Sequence, residues 1–220
     1  MPRLKPATQA ARREHILDAA EQCFARSGFH GTTMHDICRE AAVSPGALYD
    51  YFDSKELLIS GIVERDRSRL QTDLQAIAEA PDLITALTRF GEKFIVEEPR
   101  YKQVLLVEIG AESTRNPAVA QIFHAVDKFV MESFAQLFDR ARAEGKIRPK
   151  LDSKTLATVM MVIGDGMFWR RAVAPGFDAR ALMPSVMAMV TELLGPVDPN
   201  SAPVPARSRA AAHAAKEETR

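Results

Sequence analysis

The sequence predicts an all-α fold of about nine helices. Three observations carry the prediction. Apolar residues recur at three- and four-residue spacing in segment after segment. Proline, glycine and asparagine collect at the joints between those segments. No run alternates apolar and polar residues as a half-buried strand requires.

Residues 1–12 carry Arg3, Lys5 and Arg12, two prolines and no acid, and read as a flexible basic arm. Ile16, Ala19, Ala20, Cys23 and Phe24 then share one helical face, and Ser27-Gly28 stops that helix. Thr33 reads as an N-cap, with Asp36 three residues on as a short variant of the capping box. Met34, Ile37, Cys38 and Ala41 form the apolar face of a helix of about two turns. Ser44 caps the next helix and Pro45 takes its first position, where a missing N–H is harmless. This helix runs only to about Phe52, and Asp53-Ser54 caps a longer one from Lys55 to about Ile77. Pro81, Pro99, Asn116-Pro117, Gly145–Pro149 and Pro175-Gly176 separate the rest into helical segments at about 82–97, 100–114, 118–144, 153–173 and 179–194. From 196 to 220 the chain turns to Pro, Ala, Ser and charge and is expected to be disordered.

Composition sets limits on function. The 220 residues are 46% hydrophobic and 26% charged, with a formal net charge of zero. Bulk charge therefore makes no case for nucleic acid. Residues 1–55 hold Arg3, Lys5, Arg12, Arg13, Arg26, Arg39 and Lys55 against Glu14, Asp18, Glu21, Asp36, Glu40, Asp50 and Asp53, which again cancel. No transmembrane run and no secretory leader is visible, and two cysteines, Cys23 and Cys38, on apolar stripes fit a reduced cytoplasm and a core role. The five histidines lack metal-ligand spacing, so neither a metal nor a cofactor is expected. There is no phosphate loop, nucleophile elbow or H-E-x-x-H, so the chain is read as no enzyme, with a protein-binding helical adaptor as the remaining rival to a DNA binder.

Two short helices joined at Ala42–Pro45 make a helix-turn-helix. A helix that enters the major groove is short and offers small residues where its backbone approaches, as Gly46 and Ala47 do here. Leu48 and Phe52 face the core, while Tyr49 and Tyr51 are placed towards DNA. Lys55, at the start of the next helix, suits a phosphate. Asp50 between the tyrosines is repelled by phosphate unless it accepts from a cytosine N4; otherwise it points to solvent. The residues expected at the DNA are Thr33, Ser44, Pro45, Gly46, Ala47, Tyr49, Asp50, Tyr51 and Lys55.

The run GFHGTTMHDICREAAVSPGALYDYFDSKELL resembles the DNA-binding domain of the tetracycline-repressor (TetR) family of bacterial regulators. The resemblance covers about residues 12–60, through Gly28-Phe29, Thr32-Thr33, Val43-Ser44, Leu48-Tyr49, Tyr51-Phe52 and Lys55-Glu56-Leu57. It implies a homodimer on a palindromic operator, released by a small inducer, and control of an efflux or catabolic operon. On this reading 13–55 is the reading head and 56–195 the ligand-binding and dimerisation domain.

The inducer cavity is expected among the helices of 82–173, lined by Phe90, Phe94, Val104, Leu105, Phe123, Met161, Phe168 and Trp169. Aromatic walls favour a small hydrophobic, flat molecule. Glu108 and Asp165 sit on apolar stripes without a helical cation partner, and buried acids need one. They are read either as cross-helix partners, with His124, Arg170 or Arg171 satisfying them, or as polar anchors in the cavity. For the dimer, Val159, Met160, Ile163, Gly164 and Met167 of one helix and Leu182, Val186, Met189, Val190 and Leu193 of the next are expected to build a four-helix bundle with the partner.

Overall fold

The computed structural model describes residues 6–197. Among them are nine α-helices: α1 Pro6–Gly31, α2 Met34–Glu40, α3 Pro45–Tyr49, α4 Lys55–Glu79, α5 Leu83–Gly91, α6 Arg100–Ser113, α7 Pro117–Ala143, α8 Ser153–Val173 and α9 Ala179–Leu194. A π-helical segment, Glu92–Glu97, follows α5 directly. The only pairing of extended backbone among the described residues is an isolated bridge between Ile147 and Pro196. The all-α reading is correct. The tail beyond 197 and the arm residues Arg3 and Lys5 lie outside the described residues. The arm reading needs one correction: α1 already begins at Pro6, because proline suits a first helical position and three alanines follow before Arg12.

Local chemistry sets most helix ends. Ser54, Asp82, Asn116, Asp152 and Asp178 each accept backbone N–H bonds at the starts of α4, α5, α7, α8 and α9. α1 breaks at Gly28, whose φ of 71° and ψ of 172° belong to a region open essentially to glycine alone. A helix as short as α3 has no stability of its own. It is held by Leu48 and by Phe52 just beyond it, both fully buried.

Two hydrophobic cores organise the chain. The first gathers Ile16, Leu17 and Phe24 of α1, Ile37 of α2, Leu48, Phe52 and the first half of α4 through Leu58, Ile59 and Ile62. Leu105 and Ile109 of α6 and Val119 of α7 complete it. Gly61 allows this packing: a Cβ there would stand 2.9 Å from Leu17 Cδ2 and 3.0 Å from Phe52 Cε1. The second core joins Leu74 and Ile77 of α4 to Leu87, Phe134, Phe138, Leu156, Met167, Met183 and Val190. α4 thus serves both cores, and the change from one to the other falls within it rather than at residue 55.

One backbone site is strained. Ala42, in the turn between α2 and α3, has a φ of 49°. A Cβ in the left-handed region costs about 1 kcal/mol. Ala42→Gly is therefore expected to raise the melting midpoint by about 2–4 °C in thermal unfolding. A lower midpoint would show that the added chain freedom outweighs the relieved strain.

Candidate nucleic-acid interface

The helix-turn-helix is built by two caps and two anchors. Thr33 Oγ1 accepts from Asp36 N at 3.1 Å, and Thr33 N donates to Asp36 Oδ2 at 3.0 Å, so the capping box is complete. The hydroxyl and backbone N–H of Thr33 hold the Asp36 carboxyl below its usual range. Thr33's own hydroxyl proton goes to Asp36 Oδ2 at 2.6 Å, which leaves it as an acceptor on an exposed residue. Ser44 Oγ accepts from Ala47 N at 3.2 Å and fixes the first turn of α3.

That turn is what α3 offers to the outside. Ser44, Pro45 and Gly46 are exposed, Ala47 is half-buried, and among the described residues no atom from beyond the local helix lies within 4 Å of where a Gly46 Cβ would stand. Nothing inside the protein requires glycine at 46; the open space in front of it is free for a partner's backbone. Tyr49 is exposed, as is Asp50, the C-cap of α3. Tyr51 is placed differently from Tyr49. It lies beyond α3, half-buried, and packs against the first core, because the chain turns back at Asp50 to bring Phe52 inside.

Lys55 is also placed differently from a free phosphate-binding lysine. Its Nζ donates to Phe29 O at 2.5 Å and Thr32 O at 2.9 Å and stands 4.3 Å from the centroid of the Phe29 ring. Of its three protons, two are directed into the α1–α2 junction and one remains. The neighbouring cations are paired: Arg26 with Glu40 at 2.8 Å and Arg39 with Asp36 at 2.6 Å. Cys23 and Cys38 are buried in the first core, and burial pushes both thiols up.

The residues expected to line one cavity are distributed over several places. Leu105 is buried in the first core and Phe123 packs against it; a Cβ added at Gly110 would stand 3.8 Å from the Phe123 ring. Phe90 joins the second core and meets the Phe94 ring at 4.6 Å between centroids. Trp169 and Asp165 are exposed on α8. Val104, Met161, Phe168 and Phe94 are half-buried and belong to neither core. A surface groove of about 320 Å³ lies elsewhere, between Val96, Arg171 and the α8–α9 connection at Pro175–Arg180.

The two acids are resolved differently from their sequence reading. Glu108 Oε1 accepts from the backbone N–H of Phe29 at 2.7 Å, so its partner is the reading head and not His124, Arg170 or Arg171. Arg171 instead donates to Ile95 O and Glu98 O, both at 2.7 Å. Partial desolvation, and then the Asp127 carboxylate, push the Asp165 carboxyl up. Sequence reasoning missed a third acid on α6. Glu112 is buried, 2.9 Å from Arg115 Nε and 3.0 Å from His30 Nε2. Burial works to raise its carboxyl, but Arg115, His30 and Asn116 together hold it below the usual range. Its spacing of four from Glu108 was the available signal.

A second buried network ties α1 to α4. Arg65 bonds Glu14 at 3.3 Å, Asp18 at 2.7 Å and, most closely, the fully buried Glu21. Tyr101 of α6 reaches Glu21 Oε2 at 3.5 Å.

A capped pair of short helices, with the first turn of the second left open, defines a helix-turn-helix DNA-binding protein. The chain matches the family described as "Bacterial regulatory proteins, tetR family" over residues 16–62 and "BetI-type transcriptional repressor, C-terminal" over 85–195. It belongs to the TetR family of transcriptional regulators, whose members are not enzymes. It is 31% identical over 155 residues to the regulator UidR of Escherichia coli K12, covering 70% of this chain and 79% of that protein. Salmonella enterica GusR superposes with a TM-score of 0.74 at 32% identity, over 87% of this chain and 97% of that one. A transcriptional regulator from Saccharomonospora viridis, solved with choline, shares the fold at a TM-score of 0.70 and 20% identity, over 83% and 96% of the two chains.

Proposed function

We propose that the protein is a repressor that binds an inverted-repeat operator as a homodimer and is released by a small apolar, aromatic inducer. The observation that carries the DNA reading is the open first turn of α3: Gly46 faces empty space, with Tyr49 and Asp50 exposed beside it. Small residues let the backbone approach base edges, and Asp50 suits a cytosine N4.

The dimer reading is supported by an apolar face that the described residues leave uncovered. On α8, Val162 is 65% exposed, Trp169 54% and Val173 46%, and with Gly166 they recur at helical spacing. Leu182 and Met189 of α9 are likewise exposed. The stripe differs from the expected one. Met160, Ile163 and Met167 turn inward to the second core, which leaves the opposite side of α8 for a partner. Two such faces related by a two-fold axis would set two reading heads on successive major grooves, about 34 Å apart.

Phe94, Val104, Met161 and Phe168, half-buried outside both cores, are the surfaces on which an apolar inducer would close. With Glu108 bonded to the reading head, its carboxylate is not a free anchor there, which favours a neutral aromatic molecule over a cation. The choline-bound neighbour of the same fold supports a small-molecule site in principle. An operon for export or breakdown of such a molecule is the target class.

Selection of duplexes from random DNA tests the reading. The protein is expected to enrich an inverted repeat, and Trp169→Asp to give a monomer by light scattering that binds the repeat about 100-fold more weakly. A wild-type monomer that enriches a single asymmetric site would overturn the dimeric repressor. A thermal-shift screen of aromatic compounds then finds the inducer, whose affinity must fall in the presence of the operator by linkage.

A further inference from the structure

Phe29 is gripped from two sides. Its backbone N–H donates to Glu108 Oε1 of α6 at 2.7 Å. Its carbonyl accepts from Lys55 Nζ at 2.5 Å, and the same ammonium lies 4.3 Å from its ring centroid. Gly28 makes the first contact possible, since a Cβ there would stand 2.9 Å from Glu108 Oε1. The grip continues on both sides: Lys55 also takes Thr32 O at 2.9 Å, and Glu112, four residues along α6, takes His30 Nε2 at 3.0 Å. The segment Gly28–Thr32 is thus held between acids of α6 and the first residue of α4.

Lys55 follows α3 closely, and its ammonium is located by the carbonyls of Phe29 and Thr32. Phe29, which supplies the first of those carbonyls, is held in turn at its N–H by Glu108. We propose that Glu108 is a positioning residue for DNA binding: by holding the Phe29 peptide it sets where Lys55 presents its remaining proton to a phosphate. The inference rests on the DNA reading above and on a phosphate at Lys55. It gives α6 a defined hold on the reading head. The other end of α6 is fastened to α8, where Arg100 donates to Arg171 O at 3.2 Å and Ala172 O at 2.5 Å.

A double-mutant cycle on the duplex selected by the wild-type protein tests this, with dissociation constants measured at several salt concentrations. Lys55→Ala is expected to weaken binding about tenfold and to flatten the salt slope by about one counterion. Glu108→Ala is expected to weaken it roughly fivefold, and Glu108→Gln, whose carbonyl oxygen still accepts from Phe29, to bind like wild type. The double variant Lys55→Ala/Glu108→Ala is expected to match Lys55→Ala alone, because Glu108 acts through Lys55. Should Glu108→Ala be unfolded at the assay temperature, Glu108→Asp replaces it; its carboxylate falls short of Phe29, and the same loss is expected. Single effects that multiply in the double variant overturn the proposal, as does unchanged affinity for Glu108→Ala. So does tighter binding, the result of removing a negative charge near DNA. If the wild-type protein enriches no duplex at all, the DNA reading itself fails, a result distinct from multiplicative effects on a duplex that binds.

Discussion

Arg65→Ala is expected to destabilise the protein by about 3–5 kcal/mol at neutral pH, because it leaves buried carboxylate without its partner. Arg65 is 8% exposed at its side chain and serves Glu14, Asp18 and Glu21 at once, with Glu21 1% exposed. The melting midpoint should fall by roughly 10 °C in a chain of this size. The loss should depend on pH in a defined direction. Burial raises the Glu21 carboxyl above its ordinary value, against the pull of Lys102 and Arg65. A carboxyl raised in the folded state contributes stability that is present below its unfolded pKa and is lost as pH rises through the folded value. Removing Arg65 raises Glu21 further, so the gap between wild type and variant should widen as pH climbs from about 4 to neutrality. Unfolding curves across that range check it. A gap that stays constant would mean that Glu21 is not the group left stranded. In Glu21→Gln the same Arg65→Ala change should cost less, since no carboxylate then remains at the buried position.

Gly28→Ala should cost about 3 kcal/mol or more, from two effects at one atom. The first is backbone strain of about 1–3 kcal/mol for a residue with a Cβ forced into this region of φ/ψ space. The second is the contact with Glu108 Oε1 at 2.9 Å, which can be relieved only by moving the carboxylate and weakening its bond to Phe29 N. A hydrogen bond to a charged group is worth about 1.5–3 kcal/mol. The bond is between α6 and the reading head, so the loss should appear there. Amide exchange should quicken across α1 beyond Phe24, α2 and α3, and change little in α9, which packs in the other core. Making Gly28→Ala in a Glu108→Ala background isolates the strain, because that background has already lost both the obstructing carboxylate and its bond to Phe29. If Gly28→Ala costs as much there as in the wild type, strain carries the whole effect. If Gly28→Ala melts as wild type does, the left-handed break in α1 is not required.

The sequence by itself determined the helices, their order and the reading head. Those features are written locally: a Thr33 or Ser44 cap acts on the next three residues, and a proline or glycine acts where it stands. The segments read at 100–114, 118–144, 153–173 and 179–194 match α6 to α9 within a residue or two for that reason. Tertiary structure alone decided which side of each long helix faces in, and which distant groups meet. α8 carries apolar residues around its whole circumference, from Val159 to Ile163 without interruption, so no period in the sequence separates the inward Met160, Ile163 and Met167 from the outward Val162 and Trp169. Glu108 looked like a lone acid because its partner is a backbone N–H 79 residues away, and a backbone donor leaves no mark in side-chain spacing. Leu105 and Phe123 looked like cavity walls because apolar character is all that the sequence states of them. Hydrophobicity states that a side chain will be covered, and only the packing of α6 and α7 against the reading head states by what.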